Sequence, residues 1–496
     1  MAVRVNQSVE RNSGAYETPL LTARYMAQKV ASHVSADARI LDPAVGNGVF
    51  LRALMDEGLP PPQLHGFDLD AHSLAGIGQM GCSARHADFL DYVIGQRGLL
   101  AQEPLFDGLI CNPPYNCHES AYLRSKKESL RSAFGHIGTL NTYSLFLAAA
   151  LEVVRPDGII CMLVMDSFLT NVLHRALRQL ILETTDVIEI LLAPRNLFHS
   201  QSADVRTAIV TLRVRPVSER RSYDHVVRTI DRIRSERDYE QPPISSNVPQ
   251  RRFLEVPEHL LYVGVPDRLV DIYCDRSIDR LGDVFPGGAG ISTGNDRWFL
   301  RRRDELPYGD ASWVPFHKNC GGRSYTYEPE QYIQRDWETS ARHSKSFIAR
   351  NTSYYFREGV TCSSMGIRFS ACHMPPGGLF GVNANFFPED REALLYLLGF
   401  LNSQLASYYV RALLNRTNMV TPGYVKKIPF VRADIDTKRT VSAGVARIME
   451  AQRQGCGDEA HDERREIDEL IFDLYGLSRA DRATVQEFCA DIYERL

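Results

Sequence analysis

Ile40-Leu41-Asp42-Pro43-Ala44-Val45-Gly46-Asn47-Gly48-Val49-Phe50-Leu51 reads as a short strand, a glycine-bearing loop and the start of a helix. This is the first crossover of a Rossmann-like sheet, where backbone without side chains lets a nucleotide-like ligand approach. The full G-x-G-x-x-G spacing is missing, which disfavours a dinucleotide. Outward from this stretch, Leu64-His65-Gly66-Phe67 forms a second strand ending in Asp68. That acid lies about twenty residues past the glycines, where a ribose-binding carboxylate belongs. A third strand-like piece, Ala84-Arg85-His86-Ala87, ends in Asp88-Phe89. An acid and an aromatic there can read an adenine amino group and cover its ring. One such acid alone is more often a solvated strand end or a helix cap. Ligand-like residues at three successive strand ends make coincidence a poor explanation.

The apolar run Phe106-Asp107-Gly108-Leu109-Ile110-Cys111 reads as a buried strand, and Asn112-Pro113-Pro114-Tyr115 follows it. An ordinary Pro-Pro turn is the plain reading of that tetrad. The alternative is methyl transfer to a planar nitrogen. Such a nitrogen is a poor nucleophile because its lone pair is delocalised. It must lose planarity while its two N–H groups stay hydrogen-bonded. The Asn112 amide oxygen can accept one of those bonds and the Pro113 carbonyl the other. Two prolines in a row fix φ and remove competing donors, which keeps the loop stiff. Tyr115 offers a flat face for stacking.

On these motifs the chain resembles the S-adenosylmethionine-dependent DNA adenine-N6 methyltransferases of the gamma arrangement, the TaqI-like group of restriction–modification enzymes. In that arrangement the cofactor motifs precede the catalytic tetrad and a target-recognition domain follows, which is the order here. Glu17-Thr18-Pro19 resembles the N-terminal cofactor motif and also reads as a helix start, with Thr18 as N-cap and Pro19 at the first helical position. The resemblance implies a cofactor site from Thr18, Asp42, Ala44, Gly46, Gly48, Asp68, Leu69, Asp88, Phe89, Asn112 and Phe146. Within it Asp68 would hold the ribose hydroxyls, and Asp88 with Phe89 the adenine. Phe146, in Tyr143-Ser144-Leu145-Phe146-Leu147, matches a position that packs on the cofactor; plain core packing is the competing reading. Asn112, Pro113, Pro114 and Tyr115 would form the catalytic site. Phe198, in Leu197-Phe198-His199-Ser200 ahead of an alternating stretch from Val205 to Val214, would stack on a flipped target base opposite Tyr115. A core aromatic at a strand entrance is the alternative for Phe198. The departures are Asp rather than Glu at position 68 and an insertion-like Ser200-Gln201-Ser202.

Composition agrees with an intracellular enzyme. The 496 residues suffice for two or three domains, and 44% apolar and 24% charged residues are ordinary. No apolar run reaches the roughly 18 residues of a membrane span. The N-terminus shows no apolar signal core. Ten cysteines without Cys-x-x-Cys pairs indicate neither zinc nor a disulfide framework, so no metal is expected, and Cys111 and Cys117 read as reduced. The net charge of −4 hides an uneven distribution: residues 455–496 hold twelve acids and five Arg, or −7, which leaves +3 on the rest. Arg213-Arg215-Arg220-Arg221, Arg251-Arg252 and Arg301-Arg302-Arg303 can contact phosphates or guanine edges, although single Arg residues are more often solvated surface.

The expected fold class is α/β: a Rossmann-like, doubly wound methyltransferase domain over 1–250, with a C-terminal mixed α+β target-recognition domain over 251–435. A helical extension over 436–496 follows, with Ile467, Leu470, Ile471, Leu474 and Tyr475 at helical spacing. The polar stretch from Asp238 to Gln250 reads as a linker. The second half resembles the recognition region of TaqI-like and BREX-type adenine methyltransferases at Gly290 to Asp296, Tyr354 to Thr361, Leu398 to Ser403 and Asn415 to Pro429. The resemblance implies methylation of the 6-amino group of an adenine flipped out of double-stranded DNA, in a cytoplasmic, monomeric enzyme. A separately encoded nuclease or a defence complex would be its partner. A cytosine 4-amino methyltransferase shares the chemistry but more usually carries Ser before Pro-Pro. Protein-glutamine and rRNA guanine methyltransferases share the tetrad but generally lack a large recognition domain. A catalytically silent specificity protein on the same scaffold is the non-enzyme alternative, and the intact tetrad argues against it.

Overall fold

The computed structural model describes residues 16–100, 105–115, 121–138, 141–201, 205–219, 223–342, 344–456 and 460–495. The chain divides into two compact units, 1–264 and 265–496.

The first unit is built on a nine-stranded sheet. In chain order its elements begin with helix α1 (Leu20–Ala31), β1 (Ile40–Asp42), α2 (Val49–Asp56), β2 (Leu64–Asp68), α3 (Ala71–Gln79), β3 (Ser83–His86), α4 (Phe89–Leu100) and β4 (Phe106–Cys111). Short helices α5 (Ala121–Ser125) and α6 (Lys127–Phe134) lead to α7 (Thr142–Val153), β5 (Val154–Met165), α8 (Arg175–Thr184), β6 (Thr185–Leu192), β7 (Thr207–Val214), β8 (Val226–Ile230), β9 (Ser245–Pro249) and α9 (Gln250–Glu255). The spatial order is β3-β2-β1-β4-β5-β7-β6-β8-β9. Strands β1 to β5 pair in parallel, and β7 inserts antiparallel between β5 and β6.

Two features of this topology position the site. Chain order reverses at β1, whose neighbours are β2 and β4, so the crossovers diverge and open a crevice beyond the carboxyl ends of the strands. Second, β4 and β5 are apolar along their paired lengths because helices cover both faces, and such strands read as continuous hydrophobic runs. Strand β7 alternates in sequence yet is buried almost throughout, since β5 and β6 flank it inside the sheet.

Four sequence expectations can be set against the structure here. Thr18 does not cap α1: the N-cap is Pro19 and the helix begins at Leu20. The Thr18 hydroxyl is engaged by Asn112, and the free Thr22 N–H at the helix start is satisfied by Glu236 Oε1 at 3.0 Å. The supposed linker at 238–250 contains the edge strand β9, paired antiparallel with β8. The first unit also continues past 250 to Gly264, because this segment is woven into the domain. Leu261 N–H donates to Leu169 O, and the buried Arg178 guanidinium donates to the carbonyls of Glu258 and His259. The Arg213-Arg215 pair is committed internally: both bind Asp186, and Arg215 is buried.

The second unit has short strands and helices of its own. Strands β11 (Leu300–Arg302), β12 (Trp313–His317), β13 (Gln331–Gln334) and β16 (Leu379–Phe380) form one sheet, and β14 (Gly359–Cys362), β15 (Ala371–Met374) and β17 (Asn385–Phe386) another; β10 (Asp279–Arg280) pairs with β18 (Pro429–Phe430). Ile291 and Tyr355, from two of the motif-like stretches, meet in one core with Phe316, Ile333, Phe380 and Phe387. Helix Arg391–Leu401 packs on helices Ile435–Arg453 and His461–Leu474, so the C-terminal helices belong to this unit. At the closest point a Cβ on Gly399 would stand 2.7 Å from Val441 Cγ1. Ile467 and Ile471 are buried, as the helical spacing requires. No helix among the described residues is long and apolar enough to cross a membrane.

Candidate active site

The carboxyl ends of β1, β2, β3 and β4 bring Asp42, Asp68, Asp88 and Asn112 to one edge of the first unit. Asp42 closes β1 and is fully buried; its Oδ1 accepts from Ala44 N–H at 3.2 Å, while Oδ2 has no partner among the described residues. Burial pushes its pKa up to about 8, and the Asp68 charge adds to the rise. Asp68 shapes the glycine loop: Oδ2 accepts from Gly46 N–H at 2.8 Å and Oδ1 from Asp70 N–H at 2.8 Å. Gly46 sits at φ +47° with nothing within 4 Å of a Cβ position, so the loop presents bare backbone to open space. Leu69 is 61% exposed beside it, an apolar side chain turned largely to solvent.

Asp88, two residues past the end of β3, starts α4 by accepting Asp91 N–H at 3.1 Å. Its Oδ2 takes the Tyr122 hydroxyl at 2.9 Å and the Lys126 ammonium at 2.5 Å. Burial raises its pKa, but the Lys126 and Asp91 contacts outweigh that and hold it below the usual carboxylate range. Phe89 and Phe146 are buried with ring centroids 5.1 Å apart. Phe146 therefore packs in the core against Phe89. An orphaned buried carboxylate oxygen, an open glycine turn and an uncovered leucine suit a polar nucleoside-bearing ligand such as S-adenosylmethionine.

The tetrad follows β4. Asn112 Nδ2 donates to the carbonyl of Tyr16 at 2.9 Å and to Thr18 Oγ1 at 3.0 Å. Those two acceptors fix which way the amide points. Its Oδ1 then accepts the Tyr115 hydroxyl at 2.7 Å. Tyr115 is buried, and burial pushes its phenol well above the usual range, so it is neutral and a donor. Phe198, fully buried, lies 6.4 Å from Tyr115 at 68° between rings. Behind Tyr115, Tyr143 packs edge-on at 6.3 Å and its hydroxyl bonds His174 Nε2 at 2.7 Å. Burial holds His174 down to about 3, so this support is a neutral imidazole.

The structure thus brings together Thr18, Asn112, Pro113, Pro114, Tyr115 and Phe198 at one end, and Asp42, Ala44, Gly46, Gly48, Asp68, Leu69, Asp88, Phe89 and Phe146 along the adjoining crevice. Sequence reasoning missed three connectors to this site, Tyr16, Gln201 and Asn47. Tyr16 packs on Phe198 at 5.4 Å. Gln201 brackets Glu17, accepting its N–H at 2.9 Å and donating to its carbonyl at 2.7 Å. Asn47 Nδ2 donates to Glu17 Oε1 at 3.0 Å. The only signal for Gln201 was the insertion-like Ser200-Gln201-Ser202, whose polarity gave no hint of a partner 184 residues away. Cys117 lies outside the described residues, and Cys111 is buried as a free thiol.

Comparisons with known proteins bear on this site. Residues 84–198 match the family described as Eco57I restriction-modification methylase, a span that contains Asp88, the tetrad, Phe146 and Phe198. A type II methyltransferase, M.BanIII of Aneurinibacillus aneurinilyticus, is 26% identical over 206 residues, covering 37% of this chain and 35% of that protein. The adenine-specific methyltransferase PglX of Lacticaseibacillus casei is 27% identical over 180 residues, covering 31% of this chain and 15% of PglX. The adenine-specific methyltransferase BrxX of Escherichia coli O9:H4 is 23% identical over 375 residues, 73% of this chain and 30% of BrxX. The chain therefore spans about a third or less of the length of these relatives. In fold it is similar to DrdV in a DNA complex, with TM-score 0.58 and 15% identity over 90% of this chain and 58% of that one. S-adenosylmethionine is the cofactor of this class of domain. The chain is accordingly similar in sequence to type II and adenine-specific methyltransferases and, over residues 84–198, to the Eco57I restriction-modification methylase family.

Proposed function

We propose that the protein is a site-specific DNA methyltransferase that modifies the 6-amino group of an adenine flipped out of double-stranded DNA. The observation that carries this reading is the Asn112 amide. Its NH2 is held by Tyr16 O and Thr18 Oγ1, so its oxygen, which accepts the Tyr115 hydroxyl in this structure, is the end that an incoming donor would meet. An exocyclic amine donates two N–H bonds, and Asn112 Oδ1 with the Pro113 carbonyl would accept them. Those bonds localise the nitrogen lone pair as the amine loses planarity. They act by positioning and by stabilising charge that develops on nitrogen.

S-adenosylmethionine would supply an electrophilic sulfonium methyl from the neighbouring crevice. Asp68 would hold its ribose, and Asp88 with Phe89 its adenine ring. Within a duplex the amine cannot reach that crevice, so the base must leave the stack, at a cost of a few kcal/mol. Aromatic contact with Tyr115 and Phe198 would offset that cost. DNA as partner is supported by likeness in fold to two Type ISP restriction-modification enzymes, LlaBIII bound to DNA and LlaGI in complex with a DNA substrate mimic. Residues 265–496 are the proposed source of sequence recognition, and a nuclease or defence complex the proposed partner.

The experiment is methylation-sensitive sequencing of DNA from cells expressing the protein or Asn112→Ala. N6-methyladenine in one sequence context, absent with the variant, is expected. Methylation on cytosine, or none, would refute the assignment.

A further inference from the structure

On the side of Tyr115 away from Tyr143, three rings rather than two close on one another. Tyr16, Tyr115 and Phe198 form a closed triangle, with centroids 6.0 Å, 5.4 Å and 6.4 Å apart and interplanar angles of 31°, 37° and 68°. A planar base held between two facing rings needs them parallel and about 7 Å apart, twice the van der Waals contact distance. Tyr115 and Phe198 meet neither condition, and Tyr16 fills the third side. The polar half is equally self-satisfied. Asn112 Oδ1 accepts the Tyr115 hydroxyl, the same kind of bond a base amine would make. Some ring must therefore yield when a base enters. Phe198 is fully buried and Tyr115 nearly so, whereas Tyr16 is half-buried and stands outside any helix or strand. Its ring can swing toward solvent at least cost. Its backbone carbonyl is anchored separately, on Asn112 Nδ2, and the next residue is bracketed by Gln201. The ring can move while the backbone keeps the Asn112 amide aligned.

We propose that Tyr16 is a resident occupant of the target-base slot: its ring packs on Tyr115 and Phe198 until an extrahelical base displaces it. This rests on the base-flipping reading above. The occupant keeps two apolar faces from standing open to water in the DNA-free protein, and it makes entry a competition that a correctly bound base must win. Tyr16 is thus a substrate-site residue in its side chain and a positioning residue in its backbone.

The test uses the full chain and a duplex carrying 2-aminopurine at the adenine that the wild-type protein methylates, as located by sequencing. Tyr16→Ala removes the competitor and should bind this duplex about fivefold more tightly, with a larger rise in 2-aminopurine fluorescence. Tyr16→Phe keeps the ring and should stay within twofold of wild type. Both should bind S-adenosylhomocysteine as wild type does, since the carbonyl on Asn112 remains. Unchanged or weaker duplex binding by Tyr16→Ala would overturn the proposal. Should that variant fold poorly, 3-fluorotyrosine at position 16 reads the same event in the native side chain. Its 19F resonance should move on adding the target duplex and not a duplex lacking the site; an unmoved resonance would also overturn it. A wild-type protein that methylates no DNA would sink the parent reading, whereas methylation with a static Tyr16 sinks only this one.

Discussion

Asp42→Asn should raise stability near pH 8 and lower it near pH 4, where the wild-type carboxyl is already protonated. The Asp42 carboxyl is fully buried, with one oxygen on Ala44 N–H and the other unpartnered, and burial lifts its pKa from 3.8 to about 8. The unfolded chain releases this proton near pH 4, the folded chain near pH 8. Between those values the folded state binds more protons, so unfolding free energy falls as pH rises. Each pKa unit is worth about 1.4 kcal/mol, so the full displacement is on the order of 5 kcal/mol. Asparagine removes that penalty but leaves an orphaned buried NH2 in place of the orphaned oxygen, which costs roughly 1–3 kcal/mol. The net gain at pH 8 is about 3 kcal/mol, or about 6–12 °C in melting temperature for a domain of this size. Thermal melts of wild type and variant from pH 4 to pH 8.5 measure it: the variant should melt lower at pH 4, and the two melting temperatures should cross and then separate as pH rises. If a cofactor donor engages Oδ2, binding selects the carboxylate. Titration calorimetry of the wild type near pH 7 in buffers of different ionisation enthalpy should then show about one proton released. Parallel melting curves across the whole range would refute a protonated Asp42.

Three further outcomes are expected. Asn112→Ala should abolish methyl transfer while S-adenosylhomocysteine affinity, read by calorimetry, stays within about threefold, and loss of its hydrogen bonds should cost about 2 kcal/mol in denaturant melts. Asp68→Ala should weaken cofactor binding at least tenfold, and Asp68→Asn less, because the amide oxygen can still accept Gly46 N–H; equal affinity in a folded Asp68→Ala protein would remove Asp68 from the site. A fragment 1–264 should be folded by circular dichroism and melt well above a fragment 1–250, which strips Arg178 of the Glu258 and His259 carbonyls; neither fragment should methylate duplex DNA site-specifically.

The parts of the site that were legible in sequence share one physical property: each is written in contiguous residues. The strand-loop-helix at 40–51, the acids at the ends of β2 and β3, and the tetrad after β4 are local signals, because a strand's burial and its terminal turn are set by neighbours in the chain. The parallel topology then carries them to one edge without further information. Where the reading slipped, a distant partner decided. Thr18 has the residue type of an N-cap, but its hydroxyl is claimed by Asn112, 94 residues on. The stretch 238–250 has linker composition, but β8 offers an open edge, and backbone bonds do not depend on side-chain polarity. Arg213 and Arg215 look like surface cations until Asp186 is found between them.

The same contrast bears on how the tetrad works. Asn-Pro-Pro-Tyr supplies an acceptor, a stiff turn and a ring, but an amide can present either its oxygen or its nitrogen, and nothing in the four residues decides which. The choice is made by two acceptors at 16 and 18, and Gln201 in turn fixes their backbone from beside Phe198. One short segment therefore joins the glycine loop through Asn47, the tetrad through Asn112 and the Phe198 loop through Gln201. A disturbance at any of these three anchors reaches the other two through Glu17 and its neighbours. Substitutions of Asn47 or Gln201, although neither residue has a place in the chemistry, should for that reason lower methyl transfer by misaligning the Asn112 amide rather than by weakening the fold.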